Sequence, residues 1–250
     1  MTDIIQVAPV DTEAELDRLA RQYRAASGPA LRVLNMAGSR ADALIDRLPS
    51  AVRDNLVEAT EAALRIAMRA ANGSRTAVPD QKRWVNTAVA SALGAAGGFG
   101  GTTTSLVELP VTTTLMLRAI QDAARREGFD PGADSVTFDC IRVLSAAGPL
   151  EEDDGADLGF YTMRMTLTGG AVRRMISAVA PRLAVVLGQK LATQTVPVLG
   201  AVAGATTNYV YTQYYQDIAH VHFGLRRLAI EADVPREVLV QQLRDRMRLT

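Results

Sequence analysis

His220 and His222 are the only histidines in the chain and the first place to look for acid–base or metal chemistry. Two residues apart on a helix, they point to different faces and cannot share one ligand. Asp217 lies one turn before His220 and shares its face, but one carboxylate and one imidazole are fewer ligands than a zinc site requires. Neither HExxH nor GxSxG occurs. Glu108 is the other acid of interest, because a carboxylate in an apolar stretch is either a paired core charge or a functional group. A hydrolase built from Glu108, Asp217 and His220 requires all three to meet in one cleft. Cys140, the single cysteine, sits in a helical pattern beside Asp139, a poor setting for a thiolate, and reads as a core residue. The acidic run EEDDGAD (Glu151 to Asp157) lacks the alternating ligands and terminal Glu of an EF-hand. Gly97-Gly98-Phe99-Gly100-Gly101 has no Lys-Ser/Thr ending and no preceding strand, which argues against a phosphate-cradling loop. The sequence assigns no catalytic residue, no metal ligand and no cofactor.

The elements that must position these residues are helices. Aromatics make up 5% of the chain and no alternating run is long enough for a strand. At 250 residues, 48% hydrophobic and 22% charged, the chain is long enough for a proper core and too apolar for disorder. Acids and bases balance at 27 each, which excludes a dedicated nucleic-acid binder. One cysteine excludes a disulfide framework. Met1 to Val10 has no basic stretch of a signal peptide, so the expected location is cytoplasmic.

Leu16, Leu19 and Tyr23 mark an amphipathic helix stopping near Ser27-Gly28-Pro29. Leu31 to Leu48 repeats the spacing. A third helix runs from Val52 and is expected to end at Asn72-Gly73, with Gly73 to Asp80 as a loop. Glu108 and Pro110 should interrupt the chain before a helix resumes and ends at Gly128. Asp134-Ser135 caps another helix through Val136, Ile141 and Leu144. Pro235 opens the last helix, which reaches about Arg248. The expected fold is all-α: a single domain of about eight to ten helices with two Gly/Ala/Thr-rich apolar segments.

Those two segments, Trp84 to Val107 and Leu191 to Gln216, contain no charged residue. Gly94 and Gly98, Gly97 and Gly101, and Gly200 and Gly204 are spaced four apart, which on a helix lets another backbone approach closely. Their many Thr, Asn and Gln residues and a mean hydropathy of +0.06 favour a core helix or shallow insertion over spanning. The four Tyr residues at 209, 211, 214 and 215 read as core or interface anchors. Leu158 to Gln216 has no acid and five bases: Arg164, Arg173, Arg174, Arg182 and Lys190. Arg173, Arg174, Arg182 and Lys190 could face anionic lipid; ordinary solvation and pairing with the acidic run are the plainer alternative.

Two blocks resemble the EcsC family. The first runs from Ala88 to Glu127 with AAGGFGG, Glu108-Leu109-Pro110 and a closing REGFDP (Arg126 to Pro131). The second is QKLATQTVPVLGAVAGATTNYVYT (Gln189 to Thr212), in which Lys190, Pro197, Gly200, Gly204 and Asn208 occupy the family's lysine, proline, Gly-x-x-x-Gly and asparagine places. The resemblance implies a member of a family named for a bacterial gene accompanying the ATPase and permease of an ABC transporter. It supplies no catalytic residues. On this reading residues 1–48 form N-terminal amphipathic helices, 49–230 an EcsC-like helical domain, and 231–250 a C-terminal helix packed on it. The expected function is that of a non-enzymatic, membrane-associated accessory protein, peripheral on or shallowly inserted in the inner membrane. Its expected partners are a membrane surface or membrane complex, with a homo-oligomer allowed and nucleic acid excluded. The alternatives are the hydrolase above and a soluble helical interaction module.

Overall fold

The computed structural model describes residues 10–26, 46, 48, 50–77, 87–92, 105–144, 171–194 and 200–248. Within these ranges, side chains are described except at 72, 74–77, 105–108, 171–173, 189–190, 193–194 and 200–204. Among the described residues there is no strand. Eight helices follow one another: α1 (Thr12–Ala26), α2 (Ser50–Asp54), α3 (Leu56–Ala77), α4 (Ser105–Arg126), α5 (Asp134–Leu144), α6 (Ala171–Gln194), α7 (Gly200–Glu231) and α8 (Arg236–Arg248). A short helical run occupies 87–92. The all-α expectation holds. The expected helix over Leu31 to Leu48 lies outside the described residues, Asp46 and Leu48 apart.

The organising element is α7. Its 32 residues make a rod about 48 Å long, and α1, α4, α5, α6 and α8 all pack against it. A second layer forms where α3 lies on α4 and α6. The core that joins the layers is built from Leu16, Leu19, Leu64, Leu109, Ile120, Ile141, Leu183, Leu187, Tyr211, Tyr215 and Phe223, all buried. Burying such side chains contributes about 1.5–3 kcal/mol each relative to exposure, which is what holds helices of modest intrinsic propensity.

Local rules explain most boundaries. Asp11 caps α1, its carboxylate accepting the Ala14 N–H at 3.0 Å. The end of α4 is a Schellman turn. Phe129 N–H donates to the Ala124 carbonyl and Gly128 N–H to that of Arg125, both at 3.0 Å. Gly128 sits at φ +90°, a conformation a side chain disfavours. That turn fixes where Glu127 and Phe129 point, and both become important below.

Two boundary expectations fail. The third helix does not end at Asn72-Gly73 but continues to Ala77. A glycine in a helix costs only about 1 kcal/mol, which packing of α3 on two neighbours outweighs. Nor does the helix restart after Pro110: α4 begins at Ser105 and carries Pro110 inside it. Pro110 is the sixth residue of α4, past the N–H groups that are free at a helix start, so it forgoes the bond to the Leu106 carbonyl, a cost of about 3 kcal/mol that the packing of α4 on α3 and α7 outweighs.

Candidate functional site

The polar interior lies along the C-terminal half of α7, where the two histidines indeed take partners from different neighbours. His220 Nδ1 is 2.9 Å from Glu127 Oε1. The Schellman turn has placed that carboxylate against α7. Glu127 Oε2 lies 3.3 Å from Arg227 Nε and 3.7 Å from Arg18 Nη2. Glu15 of α1 completes the ring, pairing with Arg18 at 2.8 Å and with Arg227. Burial pushes the Glu127 carboxyl up, but the His220 hydrogen bond and the charges of Arg18 and Arg227 outweigh it, so the net shift is downward.

On the other face His222 is fully buried. Its Nε2 is 3.4 Å from Asp139 Oδ2, and Arg236 Nη2 of α8 lies 3.1 Å from its Nδ1. Asp139 also accepts from Arg226 at 2.7 Å and lies 3.8 Å from Arg142. Arg226 in turn stacks over Phe129, 4.6 Å from the ring centroid, and Phe129 packs on Phe223 at 5.6 Å. For Asp139, burial raises the pKa but His222, Arg226 and Arg236 bring it down to about 2. For His222, burial and the neighbouring Arg236 push it down to about 4 against the pull of Asp139. At neutral pH this imidazole is uncharged.

The N-terminal half of α7 makes a different kind of contact. Asn208 Nδ2 donates to the Ala90 carbonyl at 2.9 Å and Gln216 Nε2 to Thr87 Oγ1 at 3.0 Å, both buried. Tyr211, Tyr214 and Tyr215 are core residues, while Tyr209 is 44% exposed.

With that geometry described, the comparisons can be placed on it. The model of the EcsC protein family matches residues 15–228. The chain belongs to the EcsC protein family. Neither the curated proteins nor the solved structures yield a match. The EcsC match starts inside α1, so it takes in Glu15 and Arg18 and runs through Arg227. Asn208 of the second EcsC block bonds the backbone of the first block at Ala90, so the two blocks are neighbours in space.

Of the three hydrolase candidates, Asp217 and His220 have described side chains, both on α7. Asp217 is buried and accepts from Gln22 and from Gln213, the latter at 3.2 Å, while His220 is held by Glu127. Glu108 lies on α4, but its side chain is outside the described set. Cys140 is buried. No group of three or more His, Cys, Asp or Glu side chains suited to a metal occurs among the described residues.

Gly94, Gly97, Gly98, Gly101 and Pro197 lie outside the described residues; Gly200 and Gly204 open α7, and Pro110 sits in α4. Arg173 and Lys190 fall on α6 with undescribed side chains, whereas Arg174 and Arg182 are exposed on it. Among the described residues no helix is long and apolar enough to cross a membrane.

Sequence reasoning missed Glu127, Asp139, Glu15, Arg18, Arg226, Arg227 and Arg236. One signal was available. Asp139 and Arg142 are spaced i, i+3 inside VTFDCIRVL, and a charge pair of that spacing within an apolar helix marks a buried pair seeking further partners.

Proposed function

We propose that this EcsC protein is a helical accessory module that binds an anionic membrane surface, or a complex at that surface, and acts by binding rather than catalysis. The supporting observation is the outer face of α6. Arg174, Ala178, Pro181, Arg182 and Val185 are exposed along it, Ser177 beside them donates to Glu61 of α3 at 2.9 Å, and the helix itself contains no acid. The two arginines are two turns apart, about 12 Å, and small or apolar side chains lie between them. Each base near an anionic leaflet contributes about 1 kcal/mol, so two arginines give weak, salt-sensitive attraction, and Val185 and Pro181 allow shallow contact. A family named for a transporter-associated gene fits such a place.

Co-sedimentation with liposomes tests this reading. Pelleting with phosphatidylserine vesicles, absent with phosphatidylcholine and weakened by salt, is the expected result, and Arg174→Glu with Arg182→Glu should abolish it. Equal pelleting with both lipids, or none with either, overturns it.

A catalytic reading has one observation in its favour: His220 is oriented through Nδ1 by an ionised carboxylate, as a general base is. Turnover of an ester or phosphoester that disappears in His220→Gln would establish it; unchanged turnover in that variant would remove it.

A further inference from the structure

His222 is a titratable group in the interior whose contacts depend on its protonation state. Arginine can only donate hydrogen bonds. Arg236 Nη2 lies 3.1 Å from Nδ1 and 3.4 Å from Nε2, so the guanidinium rests over the imidazole ring, while Nε2 faces Asp139 Oδ2 at 3.4 Å. The same Arg236 nitrogen donates to the His222 carbonyl at 3.4 Å. A second proton on the ring would set an imidazolium against that guanidinium.

The charged groups facing the ring come from each neighbouring element. Helix α5 presents Asp139 and Arg142, α8 presents Arg236, and α7 itself contributes Arg226 through Asp139. Glu15 and Arg18 of α1 and Glu127 after α4 meet the opposite face, at His220 and Arg227. Among the described residues, Arg142, Arg226 and Arg236 gather around Asp139, the carboxylate that faces the ring. A proton added there meets net repulsion.

We infer that His222 and Arg236 form a proton-operated latch that docks α8 on α7 at neutral pH and releases it on acidification. Release uncovers the inner face of α8, where Leu239, Val240 and Leu243 are buried, and it lets solvent reach the imidazole. Opening and protonation therefore favour each other. The direction agrees with the downward shift of His222.

Amide hydrogen exchange on the full chain tests the latch. With His222 titrating near 6.5 when exposed and near 4 when docked, protection of residues 236–248, corrected for intrinsic rate, should fall about 30-fold between about pH 7.5 and about pH 5. Residues 207–216 should stay better protected than 236–248 at every pH, because α8 opens while they remain folded. In His222→Gln, which keeps a donor and an acceptor but does not titrate in this range, the fall should vanish. Equal protection of the two segments would mean that α8 opens only with the whole fold and would overturn the latch, as would an unchanged fall in the variant. The exposed pairs of Arg246 with Glu13 and Asp17 also join α8 to α1. Their contribution is screened by salt, so a fall that disappears in high salt also rejects the assignment to His222. Should the variant not fold, imidazole nitrogen shifts of the unaltered protein decide: a neutral ring at neutral pH is expected, and a cationic ring refutes the proposal.

Discussion

The two halves of α7 are one continuous helix but solve the burial problem in opposite ways. Up to Gln216 the helix has no charge, and its buried polar groups are amides and hydroxyls: Asn208 holds the Ala90 carbonyl and Gln216 holds Thr87. From Asp217 onward it carries Asp217, which accepts from the amides of Gln22 and Gln213, and His220, His222, Arg226 and Arg227, which are met by ionic partners from α1, α5, α8 and the turn after α4. The neutral half gains fixed geometry at low desolvation cost and is indifferent to pH and salt. In the ionic half every partner must be present, because removing one leaves a buried charge alone. The neutral half therefore joins the two family blocks, while the ionic half attaches the outer helices under conditions the solvent can alter.

The largest break in that comparison should come from Asp139→Ala. It takes the carboxylate away from Arg226, Arg142 and His222; breaking a buried pair of this kind costs about 3–5 kcal/mol. Urea denaturation should show this loss, and a midpoint within experimental error of the parent would mean that the ionic half is not held as described. The next effect is acid sensitivity. The folded state depresses the His222 pKa from 6.5 to about 4, so between those values the unfolded chain binds the proton that the folded one refuses. Stability therefore falls as pH drops through that window, by about 3 kcal/mol. The Asp139 carboxyl, lowered from 3.8 to about 2, adds a further loss of the same sign below about pH 4. Denaturation at a series of pH values should show this slope, and His222→Gln should flatten its upper part.

Much of this contrast could be read from the chain and much could not. The charge-free run to Gln216 and the polar return at Asp217 are visible in the sequence, as is the divergence of His220 and His222, because helical periodicity fixes both. The amphipathic pattern Leu16, Leu19 and Tyr23 placed α1 correctly for the same reason. What periodicity cannot give is which neighbour lies against which face. Glu15 meets Arg227 and Glu13 meets Arg246 across most of the chain's length, and nothing local in either segment encodes that meeting. The continuation of α3 past Gly73 and of α4 through Pro110 was missed because tertiary packing outweighs a local penalty of this size. The candidate site suffered most: Glu127 looks like an ordinary helix-end acid until the turn at Gly128 carries it against His220.

On the neutral half, Asn208→Ala should cost about 2 kcal/mol by leaving the Ala90 carbonyl without its donor. That loss should be the same across the pH range in which the ionic half weakens, since no titrating group is involved. A pH-dependent cost would mean that the two halves are coupled rather than independent.

The smallest effect belongs to Arg246, whose partners Glu13 and Asp17 have side chains 77% and 59% exposed. Exposed pairs are worth at most about 1 kcal/mol and are screened by salt. Arg246→Ala should therefore lower stability only slightly at low salt and not at all in high salt. Placed beside Asp139→Ala, whose cost should persist in salt, it separates the two ways α8 is held: a solvated clasp to α1 at its C-terminal end and a buried one at Arg236. If Arg246→Ala proved as costly as Asp139→Ala, the clasp to α1 would be the principal attachment of α8, and proton control through His222 would be secondary.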